Sequence, residues 1–319
     1  MNIPDLRQLA HDTRSMREAG ITLLLASGIL AFFLFIPTAP RSETSNASSG
    51  SLTSVVSPTI NAFADVPLEA RAAIVYDLTT GETLYEKNAD AQLPLASLTK
   101  LLTVYAALAV LSPETPITIP ESAVSVDGLR TFSVGQIFSL SDLSRLTLTA
   151  SLNDGAVAIA SATAERESRS ESEMLAGAAA SLNLSQTYAV NGSGLDVNAI
   201  ISGGYGSVRD LARLAGAIVE KAPAIAEATT QSIVKAVSAG GTLFSVKNTD
   251  PIIGSVQRLL LSKTGYTDLA GGNLALVFDA GINHPIAVVV LGSSLKERFT
   301  DGVALVAATI AHFAGVASL

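Results

Sequence analysis

Apolar positions along the chain change pattern three times. Ile21 to Ile36 is an uninterrupted apolar run of 16 residues, preceded by a polar stretch carrying Arg7, Arg14 and Arg17 and followed by Pro37. Residues 38–67 are rich in Ser, Thr, Pro and Asn with little to bury, the pattern of a flexible linker. From Ala70 onward the periodicity is that of a packed domain. Ala72–Asp77 and Thr83–Tyr85, flanking a Thr79-Thr80-Gly81-Glu82 turn, read as a hairpin. Helical spacing follows at Ser97–Leu111, Leu140–Ala164, Glu171–Leu182 and Ser207–Glu220. Strand-like runs return at Arg258–Lys263, Asn273–Asp279 and Ile286–Leu291, and a last apolar helix spans Glu297–Ala314. Strands at both ends with helices between predict an α+β fold, an α/β/α sandwich. Its antiparallel sheet is built from both ends of the domain, with a helical second lobe.

The predicted organisation is a cytoplasmic tail at 1–20, a transmembrane anchor or signal segment at 21–37, a linker at 38–67 and a catalytic domain at 68–319. Three arginines before the apolar run against Arg41 shortly after it keep the N-terminus inside and export the rest. An uncleaved membrane anchor is the expectation, although Ser45-Asn46-Ala47 and Ala62-Phe63-Ala64 are small-x-small cleavage sites.

Composition narrows the chemistry. With 48% apolar and 15% charged residues and a net charge of −8, the chain is a globular protein without the basic block a nucleic-acid partner requires. It has no cysteine, which removes a thiolate nucleophile, a disulfide framework and cysteine-ligated metal. The three histidines, His11, His284 and His312, stand in no spacing typical of a His-Asp-Ser site or a zinc site, so serine chemistry here calls on another base. No metal or cofactor is implied.

Three short motifs carry that chemistry. Ser97 and Lys100 lie three apart, on one face of a predicted helix, where a neutral amine could take the hydroxyl proton. Two further Ser/Lys pairs share the spacing, Ser232/Lys235 and Ser293/Lys296, and taken singly each reads as a solvated helix face. Ser151-Leu152-Asn153 has a counterpart in Ser181-Leu182-Asn183, and both residue types commonly cap helices. Lys263-Thr264-Gly265 occurs once, at the end of a strand-like run where glycine lets another backbone approach closely. Order separates signal from decoy. Only Ser97 precedes both other motifs with wide separations, the signature order of penicillin-recognising serine enzymes.

On these residues the sequence resembles the D-alanyl-D-alanine carboxypeptidase family of low-molecular-mass penicillin-binding proteins, with a β-lactamase/transpeptidase-like fold. The resemblance extends to Ile74–Asp77, Leu84–Asp90, Pro94–Lys100, Asn191–Asp196, Ser207–Leu211 and Lys263–Gly271. It implies a serine-type carboxypeptidase acting through an acyl-enzyme on peptidoglycan stem peptides ending in D-Ala-D-Ala, inhibited by β-lactams and located in the bacterial cell envelope. Ser97 would be the nucleophile, Lys100 the general base and Ser151 the proton relay to the leaving amine. Asn153 would hold the substrate amide, Lys263 supply positive potential, Thr264 bind the terminal carboxylate, and Lys247 stand near that carboxylate. The N–H groups of Ser97 and Tyr266 would form the oxyanion hole, with Gly265 between Thr264 and Tyr266 on the same strand. With the chain stopping after one helix, attachment would fall to Ile21–Ile36. Three alternatives stay open: a DD-endopeptidase cutting cross-links, a class A-like β-lactamase, and an inactive cell-wall-binding protein. The second would lack the acidic residue that activates its deacylating water, since nothing acidic stands between Asn183 and Asp196. Asp196 and Asp210 read as turn or cap residues, and His284 as a loop tip.

Overall fold

The computed structural model describes residues 61–315; the Ile21–Ile36 run lies outside them. The chain opens with a hairpin, β1 (Ala72–Asp77) and β2 (Thr83–Lys87), followed by the short β3 (Leu93–Pro94). A 3-10 turn at Ala96–Leu98 leads into α1 (Thr99–Val110). The second lobe comprises β4 (Pro116–Thr118), α2 (Glu121–Val124), β5 (Ile137–Ser139), α3 (Leu140–Ala150), α4 (Asn153–Glu167) and α5 (Glu171–Ser181). Then come β6 (Tyr188–Ala189), β7 (Gly204–Gly206), α6 (Val208–Lys221) and α7 (Pro223–Ala228). The exposed hairpin of β8 (Ile233–Val237) and β9 (Leu243–Lys247) precedes β10 (Leu259–Thr267), β11 (Gly271–Asp279), β12 (Pro285–Ser293) and the closing helix α8 (Glu297–Ala314).

Five strands form one sheet in the order β10-β11-β12-β1-β2, every neighbouring pair antiparallel. The two ends of the domain therefore share a sheet, and the fold is α+β. Alternation assigns each strand's side chains to two different cores. Ile74, Val277, Val289 and Leu291 face the helical lobe with Leu98, Leu101 and Leu211. Val75, Leu276, Phe278 and Val288 face the other way, where Leu305 and Val306 of α8 cover them. Burial on both faces explains why Ile286–Leu291 reads as a continuous apolar run. The domain also starts earlier than composition suggests. Ala62 and Phe63, grouped above with the linker, are buried, and Phe63 stacks on Tyr85 at 5.6 Å.

The single helix expected over Leu140–Ala164 is two. It breaks at Ser151, which adopts a left-handed conformation (φ 58°, ψ 39°), with its own N–H and that of Leu152 both bonded to the Thr147 carbonyl. Apolar spacing continues through the break, so periodicity does not reveal it. The Ser232/Lys235 pair sits at the start of a strand and the Ser293/Lys296 pair at the end of one, so neither is the helix face anticipated for it. Asp210 lies in the first turn of α6, its N–H bonded to the Ser207 cap, and Asp196 accepts from the Thr267 hydroxyl at 3.1 Å. His284 lies in the turn before β12 and reaches Asp77 through Nε2 at 2.7 Å. Among the described residues, no helix is long and apolar enough to cross a membrane.

Candidate active site

The nucleophile segment is held from both sides. Pairing of β3 with β7 and the Leu95 N–H bond to Gly204 O (2.9 Å) fix its entry. Buried Leu95, Leu98, Leu101 and Leu102 anchor it to the core. Ser97 sits within the 3-10 turn, one residue after Ala96, whose positive φ of 48° is a strained conformation for a residue with a Cβ. The turn leaves the Ser97 side chain half-buried while its neighbours are enclosed.

Lys100, one turn on, is fully buried and its ammonium nitrogen has three oxygen neighbours. They are Ser97 Oγ at 2.9 Å, Asn153 Oδ1 at 2.8 Å and the Ser193 carbonyl at 2.6 Å. Of these, only the Ser97 hydroxyl carries a proton of its own. A neutral Lys100 gives its two N–H bonds to Asn153 and Ser193, and its lone pair then falls on the Ser97 hydroxyl. Burial lowers the Lys100 pKa to about 7, against a smaller opposing pull from the Asp154 carboxylate.

The break at Ser151 brings two side chains into the site. Lys263 Nζ donates to Ser151 Oγ at 2.8 Å and to the Thr264 carbonyl at 2.7 Å, while Asn153 turns to Lys100. Lys263 is 1% exposed, and its pKa lies well below the ordinary lysine value. Burial is the main cause, followed by the charges of Lys100 and Arg298, with Asp250 opposing. Asn153 is committed at both ends, since its Nδ2 donates to the Asp127 carbonyl at 2.9 Å.

Strand β10 lies directly against the nucleophile turn. A Cβ placed on Gly265 would stand 3.0 Å from the Leu95 carbonyl and 3.3 Å from the backbone nitrogens of Ser97 and Leu98. The absence of a side chain at 265 is what lets these backbones meet. Asn273, fully buried on β11, reinforces the contact by donating to the Pro94 carbonyl at 3.0 Å while accepting from the Gly292 N–H.

The structure thus gathers Ser97, Lys100, Ser151, Asn153, Lys263, Thr264 and Gly265 around one cleft, with Tyr266 next on the strand. Lys247 is an exposed residue at the end of β9. The contact to Thr264 from that segment comes from Thr249, whose hydroxyl is 2.7 Å from that of Thr264. Several participants carried little sequence signal. Ser193 acts through a backbone carbonyl, and Asp154 accepts from the N–H groups of Thr131, Phe132 and Gly155. Asp250 is buried and accepts from the Ser262 hydroxyl. Adjacency to Asn153 is the one clue available for Asp154, and membership of the Asn191–Asp196 segment the one for Ser193. Among the described residues, no group of His, Asp or Glu is placed to hold a metal ion.

A family model described as D-alanyl-D-alanine carboxypeptidase matches residues 59–294. A D-alanyl-D-alanine endopeptidase of Pseudomonas aeruginosa is 30% identical over 75% of this chain and 76% of its own length. The D-alanyl-D-alanine carboxypeptidase DacC of Escherichia coli is 28% identical over 87% of this chain and 66% of its own. Among solved structures, the chain is similar to penicillin-binding protein D2 of Listeria monocytogenes in its cefotaxime-bound form. That match has a TM-score of 0.64 at 28% identity and covers 77% of this chain and 98% of the other.

Proposed function

The chain belongs to the D-alanyl-D-alanine carboxypeptidase family and is a serine DD-peptidase, and from that premise we propose that Ser97 is the nucleophile and Lys100 its base. The observation that carries this is the environment of Lys100 Nζ, where two proton-free acceptors leave the lone pair to the Ser97 hydroxyl.

On this reading Ser97 Oγ attacks the carbonyl carbon of the penultimate D-alanine and its proton passes to Lys100. The N–H groups of Ser97 and Tyr266 hold the resulting oxyanion. As the C–N bond breaks, Ser151 relays a proton to the departing amine, giving up its own and taking the one held by Lys100, and free D-alanine leaves. Lys263 keeps the Ser151 oxygen in a positive field and supports its transient loss of a proton. Water then attacks the Ser97 ester and releases the shortened peptide. Thr264, braced by Thr249, faces the terminal carboxylate. Asn153 orients Lys100 and keeps a second Nδ2 proton and a second Oδ1 lone pair with which to meet the substrate amide. Lys247 lies on the strand leading to Thr249 and contributes long-range positive charge to the carboxylate side.

The substrate is a peptidoglycan stem peptide ending in D-Ala-D-Ala, β-lactams acylate the same serine, and the role belongs to the cell envelope. A second reading, cleavage of D-Ala cross-links, is supported by the endopeptidase name of the Pseudomonas relative. The catalytic domain includes Ala62 and Phe63 ahead of residue 68 and is tethered through the preceding linker to a membrane anchor at 21–37, as the apolar run and its flanking arginines support. Incubation with a pentapeptide ending in D-Ala-D-Ala tests the reaction. Release of free D-alanine is expected from the wild type and not from S97A. Cleavage only of cross-linked dimers, into monomers and without free D-alanine, establishes the endopeptidase instead, and D-alanine release by S97A overturns the assignment.

A further inference from the structure

Arg298, in the first turn of α8, is buried at 7% exposure on the side of β10 served by the closing helix. Its Nη1 donates a short hydrogen bond to the Gly265 carbonyl. It lies beside Gly272, where a Cβ would collide first with the Ser294 carbonyl and would stand 3.2 Å from Arg298 Cδ. Gly272 is the register partner of Tyr266 across β10 and β11. The guanidinium stacks on Phe299 at 4.6 Å, and its Nε has no hydrogen-bond partner. Among the described residues, no carboxylate forms an ion pair with it, in contrast to Arg209, which pairs with Glu86 and Asp90. Asp250 is the carboxylate whose charge acts on it. A buried cation is costly without a partner, and a carboxylate would serve a purely structural role better. This one instead directs its charge at a single backbone carbonyl.

That carbonyl belongs to the peptide unit whose other end is the Tyr266 N–H. The two dipoles are one conjugated group and point to opposite sides of a trans peptide. A cationic donor on the oxygen draws electron density from the nitrogen and makes the N–H a stronger donor on the far side. Strand β10 is at the edge of the sheet, so one of its two sides is unpaired by sheet neighbours. Taking the N–H groups of Ser97 and Tyr266 as the oxyanion donors, as proposed above, we infer that Arg298 is a positioning residue that polarises the Gly265–Tyr266 peptide and so strengthens the oxyanion hole from behind. It touches no substrate. Its effect falls on the transition state and the acyl ester, where negative charge sits on the carbonyl oxygen, and not on ground-state binding.

The test uses the full chain acylated by benzylpenicillin, with the ester carbonyl stretch read by difference infrared spectroscopy alongside steady-state kinetics. R298Q is expected to lower kcat about tenfold, less than the loss of a donor itself, with KM within about twofold. Its acyl-ester stretch is expected at higher frequency than the wild type's, reporting a weaker hole. Folded R298Q with an unchanged carbonyl frequency overturns the assignment even if its rate falls, because a structural role predicts that result. R298K keeps the charge without the reach to Gly265 and covers the case in which R298Q does not fold. A carbonyl frequency above wild type supports the role, and wild-type frequency and kcat contradict it. Failure of the wild type to form any acyl-enzyme is a separate outcome, which overturns the DD-peptidase reading along with this one.

Discussion

Lys263 and Ser151 are 112 positions apart in sequence and joined by a 2.8 Å hydrogen bond between a buried ammonium and a hydroxyl held in a left-handed turn. That bond connects the sheet to the helical lobe at the cleft, and it exists because α3 stops where periodicity says it should continue. S151A removes one of the two acceptors of Lys263 and the proposed proton carrier together. Acylation by penicillin and D-alanine release are both expected to fall on the order of 100-fold, while the melting temperature shifts by a few degrees at most. Stopped-flow acylation and calorimetry on one preparation check both.

G265A puts a Cβ 3.0 Å from the Leu95 carbonyl, so β10 and the nucleophile turn must separate by a few tenths of an ångström. Displacement on that scale disturbs both oxyanion donors at once. The expected result is a loss of ~10–100-fold in acylation rate with a destabilisation of about 1–2 kcal/mol, measured by denaturant unfolding.

Asp154 offers a test of the electrostatics. Its carboxylate is the neighbour that favours the charged form of Lys100. Removing that charge lowers the Lys100 pKa further, so D154N is expected to move the acidic limb of its kcat/KM profile to lower pH than in the wild type. The same change weakens the acceptor for the Thr131, Phe132 and Gly155 N–H groups, at about 1–3 kcal/mol of stability.

Asp77 predicts a pH dependence of folding. Burial alone would raise its carboxyl pKa, but the His284 bond and the Thr80 and Thr79 N–H groups outweigh that and hold it below its ordinary 3.8. A depressed folded-state pKa gives stability that is complete above the unfolded value and disappears as pH falls through the folded one. D77A is therefore expected to cost about 2 kcal/mol at pH 7, and the gap from wild type to narrow below about pH 4. Urea titrations at pH 7 and pH 3 measure it.

Ser97, Lys100, Ser151, Asn153 and Lys263 were legible because side-chain identity, spacing and order all carried information, and the sheet because its strands are apolar on both faces. What stayed hidden acts through the backbone or through folding itself. Ser193 contributes a carbonyl that any residue could supply, Arg298 reaches a carbonyl on another element, and the turn at Ser151 interrupts no apolar spacing. Thr249 carried no signal of its own, since a lone hydroxyl two residues beyond Lys247 belongs to no motif.

The central claim, a neutral Lys100 taking the Ser97 proton, is tested most directly by the rate of Ser97 acylation by benzylpenicillin from pH 5 to 9, followed by mass spectrometry. With the Lys100 pKa at about 7, the wild-type rate should rise about tenfold per pH unit below that value and level off above it. K100R, which cannot lose its proton in this range, should stay slow throughout. A wild-type rate independent of pH over this range, or a K100R enzyme that acylates at the wild-type rate, would contradict the account.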